Sequence, residues 1–370
     1  MSFKLFTDSA ASLPGALLDE LDIGLVSMTY TTPDGAEHIC QQRGVDFDAE
    51  AFYSDIRTNH THVRTTLINS AQFYEAFEPY CRDGVSLLYI GLSSGISGTY
   101  AAACAAADEL REEYPGAEIL TVDTLGASLG EGLLVLEAAD LRDGGVSASE
   151  AAQRIDSLKK YVCQRFIVDD LVALRRGGRL SGTAAVVGTL MNIKPVLMGN
   201  EEGKIVCASR ERGRARAIRA LVDSFVELAV SPERQTVGIS HTGCYDDAVA
   251  LSEQIRARCD VGEFLIVDHE PGTGSHLGPD ALALFFYAAD ARTAPADLHS
   301  RAAAFASSAT RSARNAVDTL RAAVRGGVKG SAEAVRNARA AHRASTASNA
   351  GTSSKNPDNT DNTSAGGEVE

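Results

Sequence analysis

The stretch "LLYIGLSSGISGTYAAA" (residues 87–103) places a hydroxyl-rich turn directly after a short apolar run. Gly91-Leu92-Ser93-Ser94-Gly95 matches G-x-S-x-G, the strand-to-helix elbow that exposes the nucleophile of many serine hydrolases. A hydrolase triad of that type runs serine, acid, histidine, an order that Ser93, an aspartate and His276 obey. The hydroxyls do not stop at Ser93, however. Ser94, Ser97, Gly98 and Thr99 extend the turn, and no HGGG-type oxyanion segment accompanies it. A nucleophile needs one hydroxyl, one base and an oxyanion hole. Several neutral donors beside a helix start near Ser97 suit a bound carboxylate or phosphate instead. Ser97 also fits an ordinary N-cap.

Other polar turns follow apolar runs in the same way. Thr7-Asp8-Ser9 follows residues 3–6, Asp123-Thr124 follows 119–122, and Ser275-His276-Leu277-Gly278-Pro279 lies beyond 264–267. Each turn alone reads as the cap of the next helix. Together they predict one pocket, because ligands of open α/β sheets sit beyond the carboxyl ends of the strands. In "LVALRRGGRLSG" (171–182), Arg175 and Arg176 end a helix, Gly177-Gly178 stop it and Arg179 follows. This is either a helix C-terminus with basic residues suited to its dipole, or an anion or partner contact. His60-Thr61-His62 lacks a third metal ligand nearby and reads as a loop, and His241-Thr242-Gly243-Cys244 reads as a structural turn. No metal site is expected. Neither G-x-x-x-x-G-K-[ST] nor a helix-opening G-x-G-x-x-G occurs, so the chain is not expected to bind ATP by itself.

The elements that must carry these turns alternate. Strand-like runs at 3–6, 24–30, 85–90, 119–122, 166–168, 195–198, 236–240 and 264–267 are separated by helical patterns at 47–57, 70–81, 99–113, 131–141, 148–161, 214–229 and 246–258. Such alternation predicts βαβ units, an α/β fold of two domains with mainly parallel sheets. Two helical patterns run back to back before residue 160, which divides the chain into domains 1–160 and 161–290. Ser70 and Ser147 suit the N-caps of the helices that follow them.

Composition narrows the function classes. The chain has 370 residues, 44% of them hydrophobic, and no apolar run near ~18 residues that would span a membrane. The start Met1-Ser2-Phe3-Lys4 does not resemble a signal peptide. Seven cysteines without a C-x-x-C pair read as reduced thiols, hence a cytoplasmic protein. The net charge of −14 is uneven. Residues 291–345 hold ten Arg or Lys against Asp297, Asp318 and Glu333, so the first 290 residues are strongly acidic and unsuited to nucleic acid. This basic Ala/Arg-rich stretch predicts a helical extension, either solvated or touching an anionic membrane. Residues 346–370 are Asn/Ser/Thr/Gly-rich and read as disordered.

The motifs "FTDSAASLP" (6–14), "RTTLINSAQF" (64–73), "IGLSSGISGTYAAA" (90–103), "VDTLGASLGEG" (122–132), "LRRGGRLSG" (174–182), "NIKPVLMGNEEGKI" (192–205) and "GSHLGPDALALFF" (274–286) occur in an order that resembles DegV family proteins. The resemblance covers about residues 3–287. It implies a two-domain α/β protein that buries a long-chain fatty acid between its domains and needs no cofactor. It also implies a non-catalytic role in phospholipid metabolism, as the lipid-binding subunit of bacterial fatty acid kinase. A partner subunit then supplies ATP and phosphorylates the carboxylate. By the same resemblance the carboxylate is held by Thr65, Ser93 and His276, supported by Asp8, Ser9, Thr66, Ser94, Ser97, Gly98 and Thr99, and Arg179 faces the kinase. The chain departs from the family pattern in three places, one of them the conservative Ile96 for leucine in S-S-x-L-S-G-T. Thr65-Thr66-Leu67-Ile68-Asn69 stands for T-S-x-P-S, and Asp280 stands where glycine is usual after H-x-G-P. Serine esterase chemistry at Ser93 and His276 is the alternative reading.

Overall fold

A computed structural model describes residues 3–169, 171–181, 192–289 and 291, which lie in one compact unit. The expected helical extension at 291–345 and tail at 346–370 lie outside the described residues, apart from residue 291.

The N-terminal half builds a parallel sheet. Strand β1 (Lys4–Asp8) leads through a 3-10 turn to α1 (Gly15–Glu20) and β2 (Ile23–Val26). A small antiparallel sheet follows, made of β3 (Thr29–Thr31), β4 (Glu37–Ile39) and β5 (Arg64–Thr66), with α2 (Ala49–Asn59) between the last two. Then come α3 (Ser70–Arg82), β6 (Leu87–Gly91), α4 (Thr99–Glu113) and β7 (Ile119–Asp123). The main sheet runs β2-β1-β6-β7, all parallel. Its strands read as apolar runs because helices cover it. Phe73 and Phe77 of α3 interlock with Phe6 of β1 and Tyr89 of β6. The N-cap of α3 is Asn69 rather than Ser70. Asn69 Oδ1 accepts from Gln72 N, and Gln72 Oε1 accepts from Asn69 N, both at 3.0 Å, which completes a capping box. Ser147 does cap its helix, accepting from Glu150 N at 3.2 Å.

Helices α5 (Leu129–Asp143) and α6 (Ala148–Leu158) precede β8 (Val162–Ile167), α7 (Val172–Arg176), β9 (Ile193–Gly199), β10 (Ile205–Arg212) and α8 (Arg214–Leu228). The chain continues through β11 (Thr236–His241), α9 (Tyr245–Arg256), β12 (Glu263–Asp268), α10 (Pro271–Leu277) and β13 (Leu282–Tyr287). The second sheet has the order β10-β9-β8-β13-β11-β12. The mixed α/β class holds, but this sheet corrects the expectation of parallel strands: four of its five pairings are antiparallel, and only β11–β12 is parallel. The reason is connectivity. β10 returns from β9 as a hairpin, and β13 is inserted between β8 and β11 in the reverse direction. Phe225 and Phe286 centre its core against α8 and α9. Helix α5 packs on strands of both main sheets, which explains its nearly continuous apolar sequence.

Candidate functional site

The site begins with two residues that stand 211 positions apart. Thr65 Oγ1 and His276 Nε2 lie 2.9 Å from each other. Thr65 sits mid-strand in β5, opposite Tyr30 of β3, with its side chain turned inward while Arg64 and Thr66 are exposed. His276 stands in the last turn of α10, a helix started by Pro271 and capped by Glu270, whose carboxylate accepts from Thr273 N at 2.6 Å. The Gly177-Gly178 pair has a physical task beyond ending α7. A Cβ on Gly177 would collide with His276 Nδ1, so glycine makes room for the ring. Gly178 takes a φ of +69°, which favours glycine.

Thr65 and His276 face a cavity of about 180 Å³. Met28, Leu92, Ile96, Phe166, Leu174 and Phe285 supply much of its wall. It reaches the surface where Leu67, 45% exposed, lines it. Polar groups are few and grouped, the usual composition of a small-molecule pocket. Thr65, Arg179 and His276 stand together, Ser97 is also on the wall, and Ser128, His269 and Thr273 form a second set. In the second set, Ser128 Oγ donates to Ser240 Oγ at 3.1 Å, Ser240 Oγ lies 2.8 Å from His269 Nε2, and His269 Nδ1 lies 3.2 Å from Thr273 Oγ1. Burial pushes His269 down to about 3 and Glu270 up to about 7. Nothing in the local sequence marks this set, because its members come from three separate segments: the start of α5, β11, and the turn into α10.

Burial, and then the neighbouring Arg179 guanidinium, push His276 down to about 4. The imidazole is therefore neutral near pH 7. Arg179 is half-buried beside it, with Nε donating to Ile96 O at 3.1 Å and Nη1 to Gly177 O at 2.6 Å. It lines the cavity, so this side chain is not simply an outward-facing contact.

Ser93 stands apart from this pair. It is fully buried, and its hydroxyl donates to Gly203 O at 2.9 Å and accepts from Gly95 N at 3.1 Å. The tip of the β9–β10 hairpin is seated on the Ser93 turn so closely that a Cβ at Gly203 would strike Ser93 Oγ, and one at Gly95 would strike Glu202 O. The histidine that the hydrolase order requires is engaged with Thr65 instead. The esterase arrangement is thus not assembled.

The supporting residues divide by role. Ser97 lines the cavity, and its Oγ donates to Thr99 Oγ1 at 3.0 Å while accepting from Thr99 N at 3.2 Å. Gly98 precedes α4 and leaves space for Leu67. Asp8, Ser9 and Thr99 are buried in the frame rather than the cavity wall. Asp8 accepts from Ala10 N, Tyr89 Oη and Leu92 N, and Ser9 Oγ accepts from Met28 N at 3.1 Å. Thr66 and Ser94 point to the surface. Two of the three departures also acquire reasons. Ile68 is buried in the core and Asn69 caps α3. Asp280 adopts a φ of +62°, the region that suits glycine, and its carboxylate accepts from Arg57 Nη2 at 2.7 Å, so its charge is paired. His60 ends α2, His62 Nδ1 accepts from Arg176 Nη1, and Thr242 holds the 278–281 loop through Gly278 O and Ala281 N. Among the described residues no cluster of His, Cys, Asp or Glu is arranged to hold a metal, and no helix is long and apolar enough to cross a membrane.

Residues 2–289 match the family described as an uncharacterised protein, DegV family. The chain belongs to the DegV family. A DegV domain-containing protein of Clostridium perfringens is 39% identical over 284 residues, which make up 77% of this DegV chain and 97% of that protein. Among solved structures, a fatty-acid-binding DegV family protein from Thermus thermophilus superposes with a TM-score of 0.69 at 28% identity, covering 78% of this chain and 100% of the other. DegV of Bacillus subtilis, described as a fatty acid binding protein, superposes with a TM-score of 0.65 at 26% identity, over 77% and 98%.

Proposed function

We propose that this DegV protein binds a long-chain fatty acid in the cavity, between domains 1–160 and 161–290, with the carboxylate at Thr65 and His276. The observation that carries the reading is the meeting of those two side chains, 2.9 Å apart, on the wall of an otherwise mainly apolar cavity. Each methylene buried there contributes about 0.8 kcal/mol, while the carboxylate needs donors or its burial is costly. Thr65 Oγ1 and a protonated His276 Nε2 are two such donors. Ser93 joins them once the carboxylate replaces Gly203 O as the acceptor of its hydroxyl. The fatty-acid-binding relatives support this reading.

The protein then acts as a carrier in the cytoplasm, without turnover of its own. A partner kinase subunit holds ATP. One carboxylate oxygen attacks the γ-phosphorus, an O–P bond forms, ADP leaves, and the ligand becomes an acyl phosphate. Neutral hydroxyls and an imidazole hold the carboxylate without a permanent salt bridge, which leaves an oxygen available for attack. Arg179, beside His276, is the residue we assign to the kinase-facing edge.

Protein purified from bacteria is expected to carry fatty acid, released by organic extraction and identified by mass spectrometry. Empty protein that also fails to take up palmitate or oleate overturns the reading. Affinity should rise as pH falls from 8 towards 5.5. Free His276 is deprotonated throughout that window, a bound carboxylate raises its pKa, and binding therefore takes up a proton. Titrations of the wild type and of His276→Asn, which cannot protonate, check this: only the wild type should show the slope.

A further inference from the structure

Resting on the fatty-acid reading, we infer that the tip of the β9–β10 hairpin is a gate over Ser93, seated on it in this structure and lifted when a carboxylate binds. Ser93 is fully buried and does not itself line the cavity. Gly203, whose carbonyl oxygen accepts the Ser93 hydroxyl at 2.9 Å, does line it. Gly203 thus stands where a ligand in the cavity would meet the serine.

A serine hydroxyl has one proton to donate. Here that proton goes to Gly203 O, and the same oxygen accepts from Gly95 N at 3.1 Å. A carboxylate oxygen within hydrogen-bond range of Ser93 would compete with Gly203 O for the single proton. Both are acceptors and repel each other at such a distance, so Ser93 cannot serve ligand and hairpin together.

The hairpin is built to separate at this point. Pairing of β8 with β9 ends at Arg165–Met198, whereas β9 and β10 stay paired as far as Gly199–Ile205. Ser181 N braces Ile205 O at 3.0 Å, so the part that moves is residues 200–204. Their turn is held from within. Asn200 N donates to Lys204 O at 2.9 Å, Gly203 N to Asn200 O at 3.0 Å, and Lys204 N to Asn200 Oδ1 at 2.8 Å. The tip keeps those bonds when it moves as a unit. Glu201, Glu202 and Lys204 are exposed, whereas Gly203 is buried. The face set on the Ser93 turn is glycine backbone: a Cβ on Gly95 would lie 2.3 Å from Glu202 O, and one on Gly203 2.1 Å from Ser93 Oγ. Lifting the tip therefore unpacks no side chain, and the bond Ser93 loses to Gly203 is replaced by one to the carboxylate.

Because one proton serves both partners, lifting the tip and holding the ligand favour each other. A change that pushes the tip off Ser93 should strengthen binding. Gly95→Ala does so from one side of the contact and Gly203→Ala from the other. Each variant, delipidated, should bind palmitate about fivefold more tightly than the wild type, the net worth of one neutral hydrogen bond. In a Ser93→Ala background, where no proton is contested, Gly95→Ala should give no such gain. A crystal structure of the palmitate complex tests the gate directly: the carboxylate should take the place of Gly203 O at Ser93 Oγ, with the tip displaced. Palmitate bound with the Ser93–Gly203 bond intact overturns the inference, and so does binding no tighter than wild type in both glycine variants. If neither variant folds, the crystal structure decides alone. Failure of the fatty-acid reading looks different: the wild-type protein then binds no palmitate at all.

Discussion

His276→Ala protein should emerge from purification nearly free of fatty acid. Its affinity for palmitate is expected to be about ten- to a hundredfold below that of the wild type, because a hydrogen bond to a charged group contributes roughly 1.5–3 kcal/mol. The ring is one of the two groups that meet on the cavity wall, and its partner Thr65 remains in place, with Ser93, to bond the carboxylate. Thr65→Val, which keeps the shape of the side chain, should give a loss of similar size. The double variant should lose less than the sum, since both side chains address one carboxylate. Isothermal titration with the four proteins checks the cycle. Wild-type affinity in His276→Ala would remove the head-group assignment. Gly177→Ala should imitate His276→Ala in milder form, because the added methyl displaces the imidazole without removing it.

Asp8→Ala should cost the fold about 3–5 kcal/mol and leave the protein marginally stable. Three buried donors lose their acceptor: Ala10 N at 2.9 Å, Tyr89 Oη at 2.6 Å and Leu92 N at 3.0 Å from the carboxylate. Each unsatisfied buried group costs about 1–3 kcal/mol, offset only in part by release of a carboxyl that burial has pushed above its usual range. Urea unfolding should show a lower midpoint with an unchanged slope. Asp8→Asn keeps one acceptor and should fall between the two. A shift of less than 1 kcal/mol in Asp8→Ala would mean that Asp8 is not the fastener between β1, Tyr89 of β6 and the turn that carries Ser93.

These two expectations also mark how far the sequence reaches. The apolar runs, the helical patterns and the polar turns at strand ends were legible in it, because periodicity and turn chemistry are local. Thr65 and His276 were named from motif resemblance, and tertiary structure brings the two together. The direction of the second sheet was not legible. β13 lies between β8 and β11 through long-range pairing, and its apolar run reads the same in either orientation. The strand runs read from the sequence omit β4, β5 and β10, which are exposed or half-buried and carry little apolar signal, and also omit β13, although it is buried and apolar.

The turn that began as a possible nucleophile elbow shows the same division. Its residues fix a tight turn with many hydroxyls. Only the seating of the β9–β10 hairpin decides that the Ser93 hydroxyl faces Gly203 O and not a histidine. By itself the sequence determined the local elements, the acidic charge of the first 290 residues and the absence of nucleotide motifs, since each depends on residues near one another in the chain. The tertiary structure alone decided which hydroxyls line the cavity, which fasten the frame, that the hairpin tip is seated on Ser93, and that burial beside Arg179 keeps His276 neutral. Those outcomes depend on contacts between segments far apart in sequence, and no local pattern encodes them.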